Sequence, residues 1–406
     1  MSSISTMLDM YEEKTEYSVN TDTVIKDTSV SESGYEKETP YGNIYIIEKA
    51  FDINHLHGKY PLECLLNYKP EALLKTCGIN SPSVSLEDIL FLDTETTGLS
   101  HGVSTYVFLT GMGYFKDNYF ILKQYFMRGI GDELPLLYDL KDFMKEFKCL
   151  VTFNGKAFDM NILKSRFLVN RITDFKLFDN HVDLLYPTRM IWREVYENCR
   201  LSTMEKRVLG LFRQDDIPGE MIPGEYYKYI NYGNTDNIKK IINHNELDIL
   251  SMVTLMYIVN RYLEKPTTAP ENIKEVFNLG RMFKKKKYYR KAVLCFSKCL
   301  NSSSFSINYN SLLELSLIYK KAFDYKNAVR IWEIMINDVK RPSLFPFLEL
   351  AKYYEHKHKN CSLALNYVDK AIKTEHMKFT PSCAVIEELQ KRRDRLILKL
   401  CRKEAV

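Results

Sequence analysis

The chain is expected to fold as an α/β domain, built on a mixed five-stranded sheet flanked by helices, followed by an all-α domain of helical repeats. Three observations predict this. Short β-branched and aromatic runs alternate with segments of helical periodicity between residues 86 and 263. From residue 272 onward the sequence repeats itself, with helical spacing throughout. Between the two lies EKPTTAPEN (Glu264–Asn272), where Pro266 and Pro270 break a helix and mark a linker at 264–271.

Residues 1–40 are polar, rich in Ser, Thr and Glu, and without periodicity, which predicts a disordered or loosely ordered tail. Residues 41–85 form an N-terminal extension. In it, GNIYIIEKAF (Gly42–Phe51) has strand composition, His55, His57 and Lys59 read as a solvated loop, and Pro61–Gly78 reads as short helices. The α/β domain, 86–263, opens on the apolar run Ile89–Leu92, a buried strand. STYVFLTGMGYF (Ser104–Phe115) and NYFILKQYFM (Asn118–Met127) continue it as an antiparallel meander with a tight turn at Lys116–Asp117. A helix over 133–147 crosses to a fourth strand at Leu150–Phe153. The turn-forming pair Asn154–Gly155 then leads into a helix marked by Phe158, Ile162, Leu163, Arg166 and Phe167. NHVDLL (Asn180–Leu185) is the fifth strand. DDIPGEMIPGEY (Asp215–Tyr226) carries two Pro-Gly pairs, hence two sharp turns, and reads as a wall or lid. Ile241–Val259 is a strongly apolar helix.

In the repeat domain, 272–406, NLGRMFKKKKYYRKAV (Asn278–Val293) aligns with ELSLIYKKAFDYKNAV (Glu314–Val329) and, with one extra residue, ELAKYYEHKHKNCSLAL (Glu349–Leu365). Ala292, Ala328 and Ala364 recur 36 residues apart, as small residues do where paired helices cross. The helix 384–400 would cap the open end of a right-handed stack.

At 406 residues the chain is too long for one compact core. It has no secretory apolar region and no uninterrupted apolar run of about 18 residues, so no membrane association is expected. Nine cysteines without a CxxC pair fit a reducing cytoplasm, with Cys295 and Cys299 as core residues. The net charge of +5 conceals an asymmetry: from residue 266 onward 28 Lys and Arg face 14 Asp and Glu. The clusters Lys284–Lys287, with Arg281, Arg290 and Lys291, and Lys391–Arg395 would attract phosphate, or else form the solvated faces of helices. Tyr288 and Tyr289 would stack on bases or pack between repeats.

The chemistry concentrates at three places. Asp93 and Glu95 sit two apart at the end of the first strand, and so share a face. Neighbouring carboxylates repel, and a hard divalent cation such as Mg²⁺ or Mn²⁺ relieves them; two solvated acids at a strand end is the alternative. Asp159 opens the helix after Asn154–Gly155, and His244 and Asp248 lie one turn apart on the apolar helix. Asp183, at the end of the fifth strand, is a candidate supporting acid.

DTETTGL, NGKAFD and HNELD resemble the exonuclease motifs of the DEDD superfamily, the RNase H-like 3′–5′ exonucleases that include polymerase proofreading subunits. The resemblance spans residues 87–262. HVDLLYPTRMIWR (His181–Arg193), CRLSTMEKRVLG (Cys199–Gly210) and DIPGEMIPGEYYKYI (Asp216–Ile230) more narrowly resemble a bacterial group with such a domain followed by tetratricopeptide-type (TPR) repeats. The resemblance implies that Asp93, Glu95, Asp159 and Asp248 hold two divalent ions, Mg²⁺ or Mn²⁺, and that His244 is the general base. The chain departs from the family here. Three residues separate His244 from Asp248, the spacing of the subclass that uses tyrosine, whereas the histidine subclass has four. The implied activity is 3′–5′ hydrolysis of DNA or RNA from a single-stranded 3′ end, with the repeats recruiting a protein partner or nucleic acid. Nucleic-acid contacts are expected at Thr96, Asn154, Lys156, Arg166, Lys284 and Lys285; Arg189, Arg193 and Arg200 are further phosphate candidates, and some of these arginines, Arg166 included, are alternatively structural salt-bridge partners. The competing readings are a non-cleaving nucleic-acid adaptor and a structure-specific endonuclease.

Overall fold

A computed structural model of the chain describes residues 34–66, 70–79, 84–98, 104–176, 178–337 and 343–404. Most of the predicted tail (1–33), parts of the N-terminal extension (67–69 and 80–83), and Leu99 and Ser100 at the end of the first acidic segment lie outside them. The chain divides into two compact units, Met1–Arg189 with Tyr196–Arg261, and Met190–Val195 with Tyr262–Val406.

The first unit is built on a mixed sheet. Among the described residues its strands are β1 (Gly34–Thr39), β2 (Gly42–Asp52), β5 (Ile89–Thr96), β6 (Val107–Lys116), β7 (Tyr119–Phe126), β8 (Cys149–Thr152) and β9 (His181–Asp183), in the order β1-β2-β7-β6-β5-β8-β9. β3 (Leu56–His57) and β4 (Tyr60–Pro61) form a separate ribbon. The five predicted strands are β5 to β9, with β5, β6 and β7 as the antiparallel meander and β8 and β9 added in parallel. Two more extend the edge. β2 joins because Ile44–Ile47 are buried against β7. β1, within the stretch expected to be tail, pairs with β2 along its length. Its Glu36, Lys37 and Glu38 are the charged residues of an exposed sheet edge, and that composition resembles a tail. His57, expected in a solvated loop, is buried in β3, where Nε2 lies 2.7 Å from Ser251 Oγ and burial lowers its pKa to about 3.

The helices of this unit are α1 (Glu71–Thr76), α2 (Glu133–Met144), α3 (Asp159–Val169), α4 (Leu185–Trp192), α5 (Leu201–Met204), α6 (Ile222–Tyr232) and α7 (Ile238–Glu264), with α4 and α7 reaching across the unit boundary. One face of the sheet packs Leu90, Leu92, Met112 and Tyr125 with Leu136 and Leu140 of α2 and Leu163 and Phe167 of α3. The other face takes α7. Gly111 and Gly113, two apart on β6, let it approach: a Cβ at Gly111 would lie 2.0 Å from Asn245 Oδ1, and one at Gly113 2.6 Å from Ile249 Cγ2. The second Pro-Gly pair of the 215–226 loop is not a turn. Pro223 stands in the first turn of α6, where its fixed φ suits a helix start.

The second unit is paired helices: α8 (Ile273–Lys285) with α9 (Tyr289–Cys299), α10 (Phe305–Lys321) with α11 (Tyr325–Asn337), and α12 (Leu344–His356) with α13 (Cys361–His376), followed by α14 (Cys383–Glu404). Ala292, Ala328 and Ala364 are each fully buried on the second helix of a pair. The repeat carries a polar ladder between successive pairs. Lys284 pairs with Glu314 and Lys320 with Glu349. Lys321 lies over the ring of Tyr289 and Lys357 over that of Tyr325, at 5.2 and 5.4 Å. No helix among the described residues is long and apolar enough to cross a membrane.

The Lys391–Arg395 cluster is largely committed inside this unit. Arg392 and Arg395 donate to the Glu355 carboxylate at 2.8 and 3.0 Å, Lys399 joins at 2.7 Å, and Arg393 takes Asp369 at 2.8 Å. Against the desolvation of a buried acid, these cations hold Glu355 down to a pKa of about 2. A carboxyl depressed on folding contributes stability above its unfolded pKa of about 4.3, and that contribution disappears as pH falls through the folded value. Glu355→Gln is therefore expected to lose roughly 1.5–3 kcal/mol at pH 7, read by thermal denaturation, with the deficit shrinking as pH falls from about 4.5 toward 2. A deficit independent of pH would show that the residue acts through shape alone.

Candidate active site

β5 outruns its parallel neighbour. Its pairing with β8 ends at Phe91 and Val151, so the strand carries Asp93, Thr94 and Glu95 past the end of β8. Ligand sites in α/β sheets form at such carboxyl ends. Thr94 N–H, released from the ladder, donates instead to Asp159 Oδ1 at 3.0 Å, and Thr94 Oγ1 donates to the same oxygen at 2.6 Å.

Asp159 is delivered by the turn after β8. Asn154 adopts φ 70, and Gly155 is required because a Cβ there would lie 2.5 Å from Thr152 Cβ. Asp183 at the end of β9 ties this turn down: its Oδ1 accepts from Asn154 N and Leu185 N at 2.8 and 3.0 Å, and its Oδ2 from Lys156 N at 3.3 Å. This acid thus supports the segment that presents Asp159.

The third wall is α7, which brings His244, Asn245 and Asp248. Glu95, His244 and Asp248 each offer a ligand atom within 4.8 Å of the others. Two residues from the 205–216 region complete the corner. Asp216 Oδ1 lies 2.7 Å from His244 Nδ1, so the predicted wall does reach the site. The Arg213 guanidinium donates to Glu205 through Nε and Nη2 at 2.8 and 2.5 Å, to Asp248 through Nη2, and to Asp216 through Nη1 at 3.3 Å, and its Nη1 lies 3.2 Å from His244 Nδ1. Four of its N–H groups are thus held by the Glu205, Asp248 and Asp216 carboxylates. With Nδ1–H given to Asp216, His244 Nε2, 3.6 Å from Asp248 Oδ2, carries the free lone pair.

The electrostatics show what the cleft lacks. Burial, then Asp248, Asp159 and Glu95, push the Asp93 carboxyl well above the usual range. Burial, then Asp248 and Asp159, do the same to Glu95, with Arg213 opposing. Burial raises Asp159, against the Thr94 hydrogen bonds. One arginine does not neutralise four converging acids. Carboxylate oxygens are ligands for hard divalent cations, so the residues fit a divalent ion.

Other predicted residues are placed differently. Arg166 is buried, with Nε and Nη2 on Glu133 at 2.5 and 2.7 Å and its guanidinium 4.3 Å from the Tyr106 ring centroid; it holds α3 to α2 and does not face phosphate. Thr96 Oγ1 donates to Gly98 O at 2.8 Å. Asn154 and Lys156 meet Asp183 through their backbones, and the Lys156 side chain is exposed. Lys284 is engaged by Glu314, Lys285 is exposed, and Arg189, Arg193 and Arg200 are exposed. Sequence inspection missed Arg213, Asp216, Glu205, Asn245 and Gln124. Of these, Gln124 left a visible signal, as an amide inside the apolar run of β7.

Because Asp93 is ionised at a cost, Asp93→Asn is expected to stabilise the metal-free protein by roughly 0.5–2 kcal/mol at neutral pH. A carboxyl raised on folding binds its proton more tightly in the folded state, so the wild-type chain loses stability as pH rises through that value, and the variant escapes this loss. Thermal denaturation in EDTA reads the effect, and a destabilised variant would mean that the carboxylates are already compensated.

Residues 90–260 match the family model of the RNase H superfamily. The chain is 30% identical over 335 residues to the uncharacterised protein YprB of Bacillus subtilis (strain 168), covering 80% of each.

Proposed function

The chain belongs to the RNase H superfamily, and from that premise we propose that it is a metal-dependent nuclease, a DEDD-type 3′–5′ exonuclease acting on single-stranded DNA or RNA. The observation that supports the reading is the mutual crowding of Asp93, Glu95, Asp159 and Asp248, drawn from three separate segments, with Glu95 and Asp248 within ligand reach of His244. In this reading the four acids hold Mg²⁺ or Mn²⁺, as a pair of ions. When bound there, the metal supplies charge neutralisation at the phosphoryl oxygens and a water of lowered pKa. Asp216 fixes the His244 tautomer, and Nε2 takes the proton of the attacking water. Arg213 holds Asp248 and Asp216 in place around the imidazole. The paired helices act as TPR-type repeats that recruit a protein partner or further nucleic acid, with Lys285, Lys287 and Arg290 as exposed cations.

One observation favours the non-cleaving alternative: Arg213 already pairs with Asp248, as an internal cation would in a site that binds without cutting. Hydrolysis separates the two. End-labelled single-stranded DNA and RNA are expected to shorten stepwise from the 3′ end with Mg²⁺ or Mn²⁺ and not with EDTA. His244→Ala is expected to slow this by roughly 10²–10⁴-fold while Mn²⁺ affinity stays close to wild type. A loss of Mn²⁺ affinity instead would make His244 a ligand, and absence of metal-dependent cleavage by the wild-type chain would leave the binding role.

A further inference from the structure

We propose that Asn245, oriented by Gln124, is the positioning residue that fixes the rotamer of Asp93 and so aims one of its oxygens at the metal; this rests on the metal-centre reading above. Asp93, Gly111 and Gln124 stand in register across β5, β6 and β7, and so line one row on the face covered by α7. Gly111 leaves the middle of that row empty, and the Asn245 side chain fills it from the helix. Asn245 and Gln124 are both fully buried.

The polarity of the row is set at one end. Ile242 O, a backbone carbonyl of α7, can only accept, and it accepts from Gln124 Nε2 at 2.9 Å. Gln124 Nε2 also donates to Asn245 Oδ1 at 2.9 Å. The amide of Asn245 is therefore turned with its Nδ2 toward β5, where it donates to Asp93 Oδ2 at 2.9 Å and lies 3.4 Å from Asp93 O. A flipped Asn245 would set carbonyl against carboxylate at one end and amine against amine at the other. The relay thus always offers Asp93 a donor. It occupies Oδ2, and among the described residues Oδ1 is the oxygen left for a metal. Asn245 is flanked in sequence by His244 and Glu246, and one helix turn thereby fixes both an acid on the strand and the imidazole of the cleft.

The test is Mn²⁺ binding by calorimetry to the full chain, with thermal denaturation alongside, for wild type, Asn245→Leu and Gln124→Leu. Asn245→Leu keeps the volume and removes the donor. Its Mn²⁺ dissociation constant is expected to rise about 10–100-fold, the range for residues that orient metal ligands, and excess Mn²⁺ is expected to restore part of any hydrolytic rate. Gln124→Leu touches no acid of the cleft, and is expected to weaken Mn²⁺ binding in the same direction and by less. Should Asn245→Leu not fold, the Gln124→Leu result decides. A purely packing role would lower the melting temperature and leave Mn²⁺ affinity within about twofold in the folded variants, and that outcome overturns the proposal. A wild-type chain that binds no Mn²⁺ overturns the metal-centre reading itself, so the two failures are distinct.

Discussion

Carboxylates crowd the cleft where β5 runs past β8, and the polar architecture around them follows from the cost of holding them there. Each acid is given a different compensation. Asp159 accepts two hydrogen bonds from Thr94, Asp93 accepts an amide from Asn245, and Asp248 takes the Arg213 guanidinium. Glu95 has Arg213 nearby and Asp216 opposing, and its carboxyl remains among the most strongly raised. Removing charge is the remaining route to relief, by protonation or by a cation.

The backbone makes this crowding possible through register. Because β5 pairs in parallel with β8 and antiparallel with β6, its end is free on one side and braced on the other. The free side lets Thr94 N–H turn to Asp159 instead of a strand partner. The braced side lets α7 descend onto Gly111 and Gly113, which brings Asn245, His244 and Asp248 down to the level of Asp93. A side chain at Gly111 would lift the helix and separate its residues from the strand. The two glycines of GMG thus serve the cleft although neither carries a functional group.

Local pattern carried much of the architecture. The apolar run before Asp93, the Asn154–Gly155 turn and the 36-residue recurrence of Ala292, Ala328 and Ala364 each encode an element that contiguous residues can specify. The acids were visible for the same reason, since i, i+2 and i, i+4 spacings fix shared faces. Edge strand β1 was hidden because its partner is supplied by β2, and a charged edge looks like solvent-facing chain. Asn245, and the contact of Arg213 with Asp248, were hidden because the partners lie about 150 and 35 residues away in sequence, on elements whose juxtaposition depends on the whole sheet. Arg166 shows the converse: a basic residue near an acidic segment invites a phosphate, but burial beside Glu133 commits it to packing.

The basic C-terminal region also commits much of its charge internally. Its surplus of Lys and Arg suggested an electrostatic surface, yet the repeat itself uses part of that charge. Lys284 and Lys320 each bond forward to an acid in the next pair, and Lys321 and Lys357 each cover a tyrosine of the preceding pair. These contacts recur because the sequence recurs, which marks them as the cement between units of a helical array. Glu355 gathers Arg392, Arg395 and Lys399, and Glu349 gathers Lys320 and Lys352, so two buried acids engage five bases. Exposed cations remain elsewhere in the unit, among them Lys298, Lys326, Arg330 and Lys373, and at the α8–α9 turn Lys285, Lys287 and Arg290, where Lys287 adopts φ 64 to close the turn. Electrostatic attraction to a polyanion grows with the number of charges neutralised together, so the cations engaged between repeats and on buried acids are withdrawn from any such surface.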